Sequence, residues 1–187
     1  MSASIETLVR QIVDLSDDEI NQVRPFLKTK FIKKGEYFVT ANQIADEIAF
    51  VQKGLFRIHY LVHNRESIRY FGSEGTFITS LPSFTSRKPS LEYVQALEDS
   101  VILVLTYEDL QKMYTLSYKW ERVVRILTEK TFNDLQFRVY SLISQSAQER
   151  YESFFTQRPD LIQRIPQYLI ANYLGISPET LSRIRRP

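Results

Sequence analysis

The spacing of apolar residues divides the chain into a helical start, a strand-rich middle and a helical end. At the start, apolar residues recur every three or four positions and predict an amphipathic helix: Ile5, Leu8, Val9, Ile12 and Val13. Ser16 and Glu19 are spaced as in a capping box, where each side chain accepts from the other residue's backbone N–H. We therefore expect a second, short helix that ends near Pro25.

Between positions 28 and 107, short runs of Val, Ile, Leu, Phe and Tyr alternate with turn residues. The runs are Lys28–Val39, Ile48–Val62, Ile68–Phe71 and Tyr93–Tyr107. Many short strands between turn signals predict an antiparallel barrel or sandwich. The polar segment His63-Asn64-Arg65-Glu66 predicts a hairpin turn between two of these strands.

After position 106 the pattern returns to that of helices. Thr106 stands three residues before Asp109, which predicts the cap of a short helix. A long helix is expected from about Ser117 to Ile143, a stretch without Gly or Pro, and it would measure ~39 Å. Its apolar stripe would pack on the strands of its own chain or on a twin helix from a second chain.

The end of the chain predicts three further helices. Ser146 and Glu149 form a second capping box and begin a helix that runs to Phe155, before a break at residues 158–160. Pro166 opens the next helix, and Gly175 ends it with the turn that glycine allows. The last helix begins with an N-cap at Ser177 and Pro178 in the first turn, and it runs to about Arg186.

The segment from Gln167 to Arg186 has the pattern helix, tight turn, helix. Ala171 is small where the two helices must approach closely, and Gly175 supplies the turn. This pattern is typical of a helix-turn-helix, whose second helix enters the major groove of DNA. An ordinary helical hairpin, with Ala and Gly present for packing, is the alternative interpretation.

Several side chains of this segment are candidates for DNA contacts. Arg183 is placed to read guanine by a bidentate contact, and Glu179 to accept from cytosine N4 or to orient Arg183. Ser177 and the first helical turn present donors to phosphate, which Arg185 and Arg186 would also hold. The complete candidate set is Gln167, Ser177, Pro178, Glu179, Thr180, Ser182, Arg183, Arg185 and Arg186.

The charge distribution gives further evidence on the C-terminal end of the chain. The chain has 187 residues and a net charge of +2, and the whole excess lies in residues 144–187, which hold six arginines and four acidic residues. Such asymmetry indicates nucleic acid or an acidic surface as a partner, with a solvated basic tail as the alternative.

Composition argues against several other classes of protein, namely membrane-spanning, secreted and cysteine-dependent ones. No stretch approaches the ~18 apolar residues of a membrane span, and the N-terminus lacks the features of a secretion signal. We therefore expect a cytoplasmic protein without a membrane partner. The chain contains no cysteine, which excludes disulfides, thiolate zinc sites and cysteine-ligated iron–sulfur clusters.

Four motifs together resemble the CRP/FNR family of bacterial transcription regulators, over nearly the whole chain. They are Lys33–Glu36, Ile48–Arg57, Val94–Ser100 and Ile176–Ile184. The resemblance implies an α+β fold with an antiparallel, jelly-roll-like β-roll sensor domain, a long dimerisation helix and an all-α helix-turn-helix domain. It implies a homodimer that reads a near-palindromic site on double-stranded DNA, with RNA polymerase as a further partner.

The resemblance also implies boundaries and interface residues. The sensor domain with its N-terminal helices would cover residues 1–115, the dimerisation helix 116–143 and the DNA-binding domain 144–187. Too little chain lies between Gln157 and Pro166 for the β-wing of larger members, so we expect a compact DNA-binding domain without it. The three recognition positions of the best-known members are Arg, Glu and Arg, and here they are Pro178, Glu179 and Arg183. The helix residues expected at the dimer interface are Trp120, Val124, Leu127, Thr131 and Leu135.

The sensor region departs from the family's cyclic-nucleotide binders. Their phosphate cassette carries a Gly-Glu pair and, about ten residues later, an Arg; here these positions are Thr79-Ser80 and Ser90. Without the bidentate charge partner of the phosphate, binding of cyclic AMP is not expected. The effector is therefore an unknown small molecule or none, and the residues expected to line its pocket are Phe77, Thr79, Ser80, Ser90 and Tyr93.

Two alternatives to a DNA-binding regulator stay open. One is a ligand-sensing β-roll protein whose helical tail binds protein. The other is a cupin-like metalloenzyme that uses His59, His63 and Glu66, although a gap of four residues spans ~13 Å along a strand. The leading interpretation predicts no catalytic activity and no cofactor.

Overall fold

The computed structural model describes residues 4–185, and its centre is a roll of eight strands. The strands are β1 (Lys28–Ile32), β2 (Tyr37–Val39), β3 (Glu47–Lys53), β4 (Leu55–Val62), β5 (Arg65–Ser73), β6 (Phe77–Ile78), β7 (Glu92–Ala96) and β8 (Ser100–Thr106). They form two antiparallel sheets, with the orders β1-β8-β3-β6 and β2-β7-β4-β5. The predicted α+β class with an antiparallel β-roll is confirmed.

The helices precede and follow the roll. They are α1 (Ile5–Ile12), α2 (Asp17–Val23), α3 (Leu81–Ser86), α4 (Tyr107–Leu116), α5 (Tyr118–Ser144), α6 (Ala147–Gln157), α7 (Pro159–Ile162), α8 (Gln167–Leu174) and α9 (Pro178–Ile184), with a 3₁₀ turn at Arg24–Phe26. Both predicted capping boxes are present, at Ser16 and Ser146, and the Thr106 hydroxyl accepts from the Asp109 N–H. Local sequence therefore sets most of the helix starts.

The predicted hairpin joins β4 to β5. His63 and Asn64 both have positive φ, 48° and 61°, which is the backbone of the tight turn that matches the twist of two antiparallel strands. β5 is the last strand of its sheet, so its outer edge has backbone groups that no strand of the described roll pairs.

Two short helices lie where the patterns predicted none. Helix α3 follows Ser80, and helix α7 begins at Pro159, inside the predicted break at residues 158–160. Both have proline in the first turn, where the missing N–H costs no helical hydrogen bond. The break itself is real and is confined to Arg158, whose φ is −134° and ψ 56°.

The buried apolar residues form two clusters. The first, called here the roll core, fills the space between the sheets and joins α1, α2, α4 and the start of α5 to them. The second, called here the shared core, contains three residues of the roll and eight of the C-terminal region, of which seven lie in helices and Ile165 lies between α7 and α8. The three are Leu55, Ile68 and Phe71.

Candidate DNA-binding face and the interior of the β-roll

Helices α8 and α9 are joined by a three-residue turn. Gly175 has a φ of +67°, and the N–H of Ile176 donates to the carbonyl of Ala171 at 3.0 Å, which ends α8 as predicted. Ala171 is fully buried, and Leu174 and Leu181 are 2% exposed. The two helices therefore pack closely through the small residue that the sequence indicated.

The predicted DNA-contacting residues of α9 lie on one exposed surface. Pro178, Glu179, Ser182, Arg183 and Arg185 are exposed, while Thr180 is partly buried. Gln167 is exposed at the start of α8 and Ser177 in the turn, and Arg186 lies outside the described residues.

Hydrogen bonds within α9 already use some of these groups. The Ser177 hydroxyl accepts from the Thr180 N–H at 3.2 Å, so it caps the helix. Arg183 donates to the Thr180 hydroxyl at 3.3 Å. The hydrogen bond with Ser177 and, more weakly, the charge of Arg183 lower the pKa of Glu179, which therefore stays ionised. The face thus presents an anionic and a cationic side chain one turn apart.

Three of the six C-terminal arginines are held inside the protein. Arg150 donates to the carbonyl of Leu174 at 2.9 Å. Arg158 donates to the Ser73 hydroxyl at 2.8 Å. Arg164 lies between two carboxylates of the roll and bonds to both. Half of the arginines at this end of the chain therefore bond to other parts of the fold.

The Arg164 contact joins the helical end to the roll. Its guanidinium donates to Glu74 at 2.9 Å and to Glu98 at 2.7 Å. Burial opposes ionisation of Glu74, but the hydrogen bonds from Arg164 and from the Gly54 N–H, together with the charge of Arg164, outweigh it and lower the pKa of that carboxyl. The same two carboxylates raise the pKa of Arg164. The group is charged on both sides and partly shielded from water.

A second contact covers the edge of β5. The Asn172 amide of α8 accepts from the Ile68 N–H at 2.8 Å and donates to the Glu66 carbonyl at 2.7 Å. Arg138 of α5 donates to the carbonyls of Ile68 and Tyr173, and its guanidinium lies 3.8 Å from the Tyr173 ring centroid. These side chains satisfy backbone groups that an edge strand leaves open.

The N-terminal part of the α5 stripe that the resemblance assigned to a dimer interface faces the chain's own roll. Trp120 is 3% exposed within the roll core, and Val124 and Leu127 pack against that core. Thr131 and Leu135 are partly buried. The structure therefore places Trp120 out of reach of a second chain.

The outward face of α5 carries large apolar side chains. Phe132 is 59% exposed, Val139 52% and Ile143 79%, and Phe132 lines a shallow groove with Thr128, Glu129 and Asn133. Phe132 and Val139 are seven residues apart and therefore lie on one side of the helix. This face, defined by Phe132, Val139 and Ile143, is called here the outer α5 face.

Two of the predicted pocket residues meet at a buried acid that the sequence analysis did not select. Glu92 is 1% exposed; its carboxylate accepts from the Ser80 hydroxyl at 2.7 Å and from Arg69 Nε at 2.5 Å. The Ser90 hydroxyl bonds to the backbone of Glu92 at 2.9 Å. Burial and the nearby Glu92 carboxylate raise the pKa of Tyr60 to about 12.

The other three pocket residues lie elsewhere. The Thr79 hydroxyl donates to the Glu47 carbonyl at 2.8 Å, and Phe77 packs edge-on against Phe50. Tyr93 follows Glu92 on β7, so its side chain points to the opposite face of the sheet, where it stacks on His59. The five predicted residues are therefore not brought together in one pocket.

A signal for Glu92 was present in the sequence. In strand β7 the inward positions are 92, 94 and 96, and the last two are Val94 and Ala96, both fully buried or nearly so. An acidic residue in phase with buried apolar residues indicates a buried charge that needs a partner. Its partner, Arg69, is distant in sequence and has no comparable signal.

The histidines occupy two different environments. His59 is buried against the Tyr93 ring, and its Nε2 lies 3.7 Å from the Glu66 carboxylate. His63 is exposed in the hairpin turn. Among residues 4–185, no three His, Asp or Glu side chains are grouped so that they would hold a metal ion.

Comparisons with known proteins agree with the fold. Residues 29–116 match the family model named cyclic nucleotide-binding domain. The fold is similar to that of FixK2 from Bradyrhizobium japonicum, with a TM-score of 0.76, 19% identity, and coverage of 84% of this chain and 82% of that chain. None of the described helices is both long and apolar enough to cross a membrane.

Two further solved structures extend the likeness. A mutant of CooA from Carboxydothermus hydrogenoformans has a TM-score of 0.72 and 16% identity over 98% of this chain and 82% of that one. The catabolite activator protein of Thermus thermophilus has a TM-score of 0.59 and 17% identity over 91% and 82%. A search of curated protein sequences found no match. The resemblance predicted from the four motifs is confirmed: residues 29–116 match the cyclic nucleotide-binding domain, and the chain has the fold of the CRP/FNR transcription regulators.

Proposed function

We propose that this protein is a sequence-specific regulator of transcription that binds double-stranded DNA as a homodimer. The observation that carries the proposal is the exposed face of α9, held by a closely packed α8 that leaves Glu179, Ser182 and Arg183 free to enter a groove. A bidentate arginine and an acid one turn apart are the residue types that read guanine and cytosine edges. Pro178 replaces a base-reading arginine of the best-known members, so a different base preference is expected.

The second chain would dock on the outer α5 face. Phe132 and Val139 repeat at seven residues along a helix of 27 residues, which is the spacing of a seam between two parallel helices. Pairing there would cover the exposed aromatic and aliphatic side chains that water now surrounds. It would also relate two copies of α9 by a two-fold axis, so each would read one half-site ~34 Å from the other.

We also propose bounds for the domains, a further protein partner and a limit on the effector. The sensor domain would comprise residues 1–115, the dimerisation helix 116–143 and the DNA-binding domain 144–187. RNA polymerase is the further partner that the family resemblance implies. Cyclic AMP is not the proposed effector, because Ser80 and Ser90 stand where the phosphate cassette has charged groups.

Selection of bound sequences from random DNA tests this proposal directly. We expect a two-fold symmetric motif with half-sites one helical turn apart, and an affinity that falls steeply as salt rises because phosphate contacts release counterions. Light scattering of the free protein should give the mass of two chains. The absence of any shift with genomic fragments at low salt would exclude the DNA-binding function.

Substitution of Arg183, which we propose contacts guanine, tests the base contact separately from general DNA affinity. Arg183→Ala should weaken binding by ~1–3 kcal/mol and relax the preference at one position of each half-site. Arg24→Ala is the matched control, because Arg24 is an exposed arginine in the N-terminal region. Equal losses in both variants would mean that Arg183 contributes only general charge.

A further inference from the structure

A buried carboxylate inside the roll has the donors of an anion site around it. Glu92 is 1% exposed and points inward with Val94 and Ala96. One carboxylate oxygen accepts from Arg69 Nε and the other from the Ser80 hydroxyl. A guanidinium with a hydroxyl is a donor set suited to carboxylate and phosphate alike, and here Arg69 Nε and the Ser80 hydroxyl both donate to a carboxylate of the chain itself.

The position of Arg69 depends on an irregularity in β5. Tyr70 pairs with Ile58 and Ile68 pairs with His59, so Arg69 is the extra residue of a β-bulge between two consecutive residues of β4. A bulge re-aims the side chain of the extra residue and increases the local twist. The bulge thus directs the Arg69 guanidinium toward Glu92.

We propose that the Glu92 carboxylate is a built-in ligand of the sensor domain, which holds the Arg69–Ser80 donor pair as an anionic effector would. A buried charge is stable only when it is paired and hydrogen-bonded, so Glu92 and Arg69 hold each other in one arrangement. The donor pair is a latent anion site, and a small carboxylate is the class of ligand that fits once the Glu92 side chain is removed.

The built-in ligand lies next to the contact with the helical end. Arg69 follows Ile68, whose N–H is bound by Asn172 of α8 and whose carbonyl is bound by Arg138 of α5. A change at the bulge therefore moves backbone groups that α5 and α8 hold directly. This part of the proposal rests on the proposed function: the Glu92–Arg69 pair sets the arrangement in which α9 binds DNA without a small-molecule effector.

Chemical rescue of the full-length Glu92→Ala variant tests the proposal. The unpaired Arg69 should lower the melting temperature by roughly 6–20 °C in chloride. Sodium acetate at equal ionic strength should restore more than half of that loss, because acetate fits the space left by the side chain. The wild type should show no response to acetate.

Glu6→Ala is the matched control for rescue. Glu6 also pairs with an arginine, Arg24, but the two side chains are 43% and 60% exposed, so acetate has no enclosed site there and should leave the melting temperature unchanged. If Glu92→Ala does not fold, the double variant Arg69→Met with Glu92→Leu replaces the pair with apolar side chains, an exchange that buried ion pairs often tolerate. We expect this variant to fold, to bind DNA roughly tenfold more weakly and to ignore acetate.

The readouts separate failure of this proposal from failure of the proposed function. Acetate rescue of stability in a protein that never binds DNA would support the built-in ligand and reject DNA binding. Wild-type DNA affinity in the double variant would overturn the coupling, and equal effects of acetate and chloride on Glu92→Ala would overturn the latent site.

Discussion

The two buried clusters differ in how they are built. The roll core is apolar. Its residues run from position 9 to position 123 and belong mainly to the strands, the first helices and the start of α5. The shared core is completed by Leu55, Ile68 and Phe71 of the roll, and charged contacts of Arg158 and Arg164 surround it.

The helical end therefore does not form a complete core by itself. Its eight buried side chains pack with three from the roll, and the side chain of Asn172 bonds to the backbone of β5. Interfaces between domains are typically more polar than a core, and relative motion is expected across them. A roll and a helical end joined in this way are energetically coupled, so a change in one alters the stability of the other.

The largest expected effect comes from opening the shared core. Phe71 is 2% exposed, and its ring centroid lies 5.4 Å from that of Tyr173. Phe71→Ala should lower the free energy of unfolding by ~3–5 kcal/mol, as removal of a buried aromatic ring does. Urea unfolding measures the loss, and amide exchange should show it in α8 although the substitution lies in β5.

The control for this substitution is Phe31→Ala, since Phe31 is 78% exposed on β1. It should change the free energy of unfolding by no more than about 0.5 kcal/mol. Unchanged protection of the α8 amides in Phe71→Ala would show that the two regions are independent.

A smaller loss of unfolding free energy is expected when the ion pairs of Arg164 with Glu74 and Glu98 are broken. Arg164→Ala leaves Glu74 and Glu98 without their partner, and hydrogen bonds to charged groups contribute about 1.5–3 kcal/mol. Thermal unfolding of the single variants and of Arg164→Ala with Glu74→Ala gives the coupling free energy. Arg24→Ala breaks an exposed pair with Glu6 and should cost about 0–1 kcal/mol. Additive losses for Arg164 and Glu74 would contradict a shared contact.

The smallest effect concerns the titration of His59, a buried histidine of β4. Burial, and secondly the charge of Arg57, lower the pKa of His59, while Glu66 acts in the opposite direction. The unfolded chain then binds more protons than the folded one, so the free energy of unfolding should fall as pH drops below about 6.5. His59→Gln should flatten this slope, and His63→Gln, at an exposed turn, should not. Equal slopes in wild type and His59→Gln would exclude His59 as the cause.

Local signals predicted much of the architecture. The caps at Ser16, Thr106 and Ser146, the hairpin turn at His63 and the αL terminator at Gly175 all occur where the pattern placed them. These features depend on neighbours within four residues, which a sequence displays directly. The helix-turn-helix was predictable for the same reason.

Long-range partners were not predictable from pattern alone. The stripe on α5 was correctly identified as apolar, but the sequence left open whether a second chain or the roll would cover it, and Trp120 lies in the roll core. The pocket prediction selected Ser80 and Ser90 and missed Glu92 and Arg69. A β-bulge and a pairing across 23 positions bring those two together, and neither follows from the spacing of residues on one strand.

The sequence by itself determined where most of the helices begin, which regions are rich in strands, which end of the chain carries the excess charge, and which segment has the helix-turn-helix pattern. Only the tertiary structure decided how the charge is used: three of the six arginines bind inside the fold, while Arg183 and Arg185 stay exposed on or beside α9. The physical reason is that capping, turns and periodicity are local interactions, whereas the partner of a charge depends on which distant residues folding brings within hydrogen-bond distance.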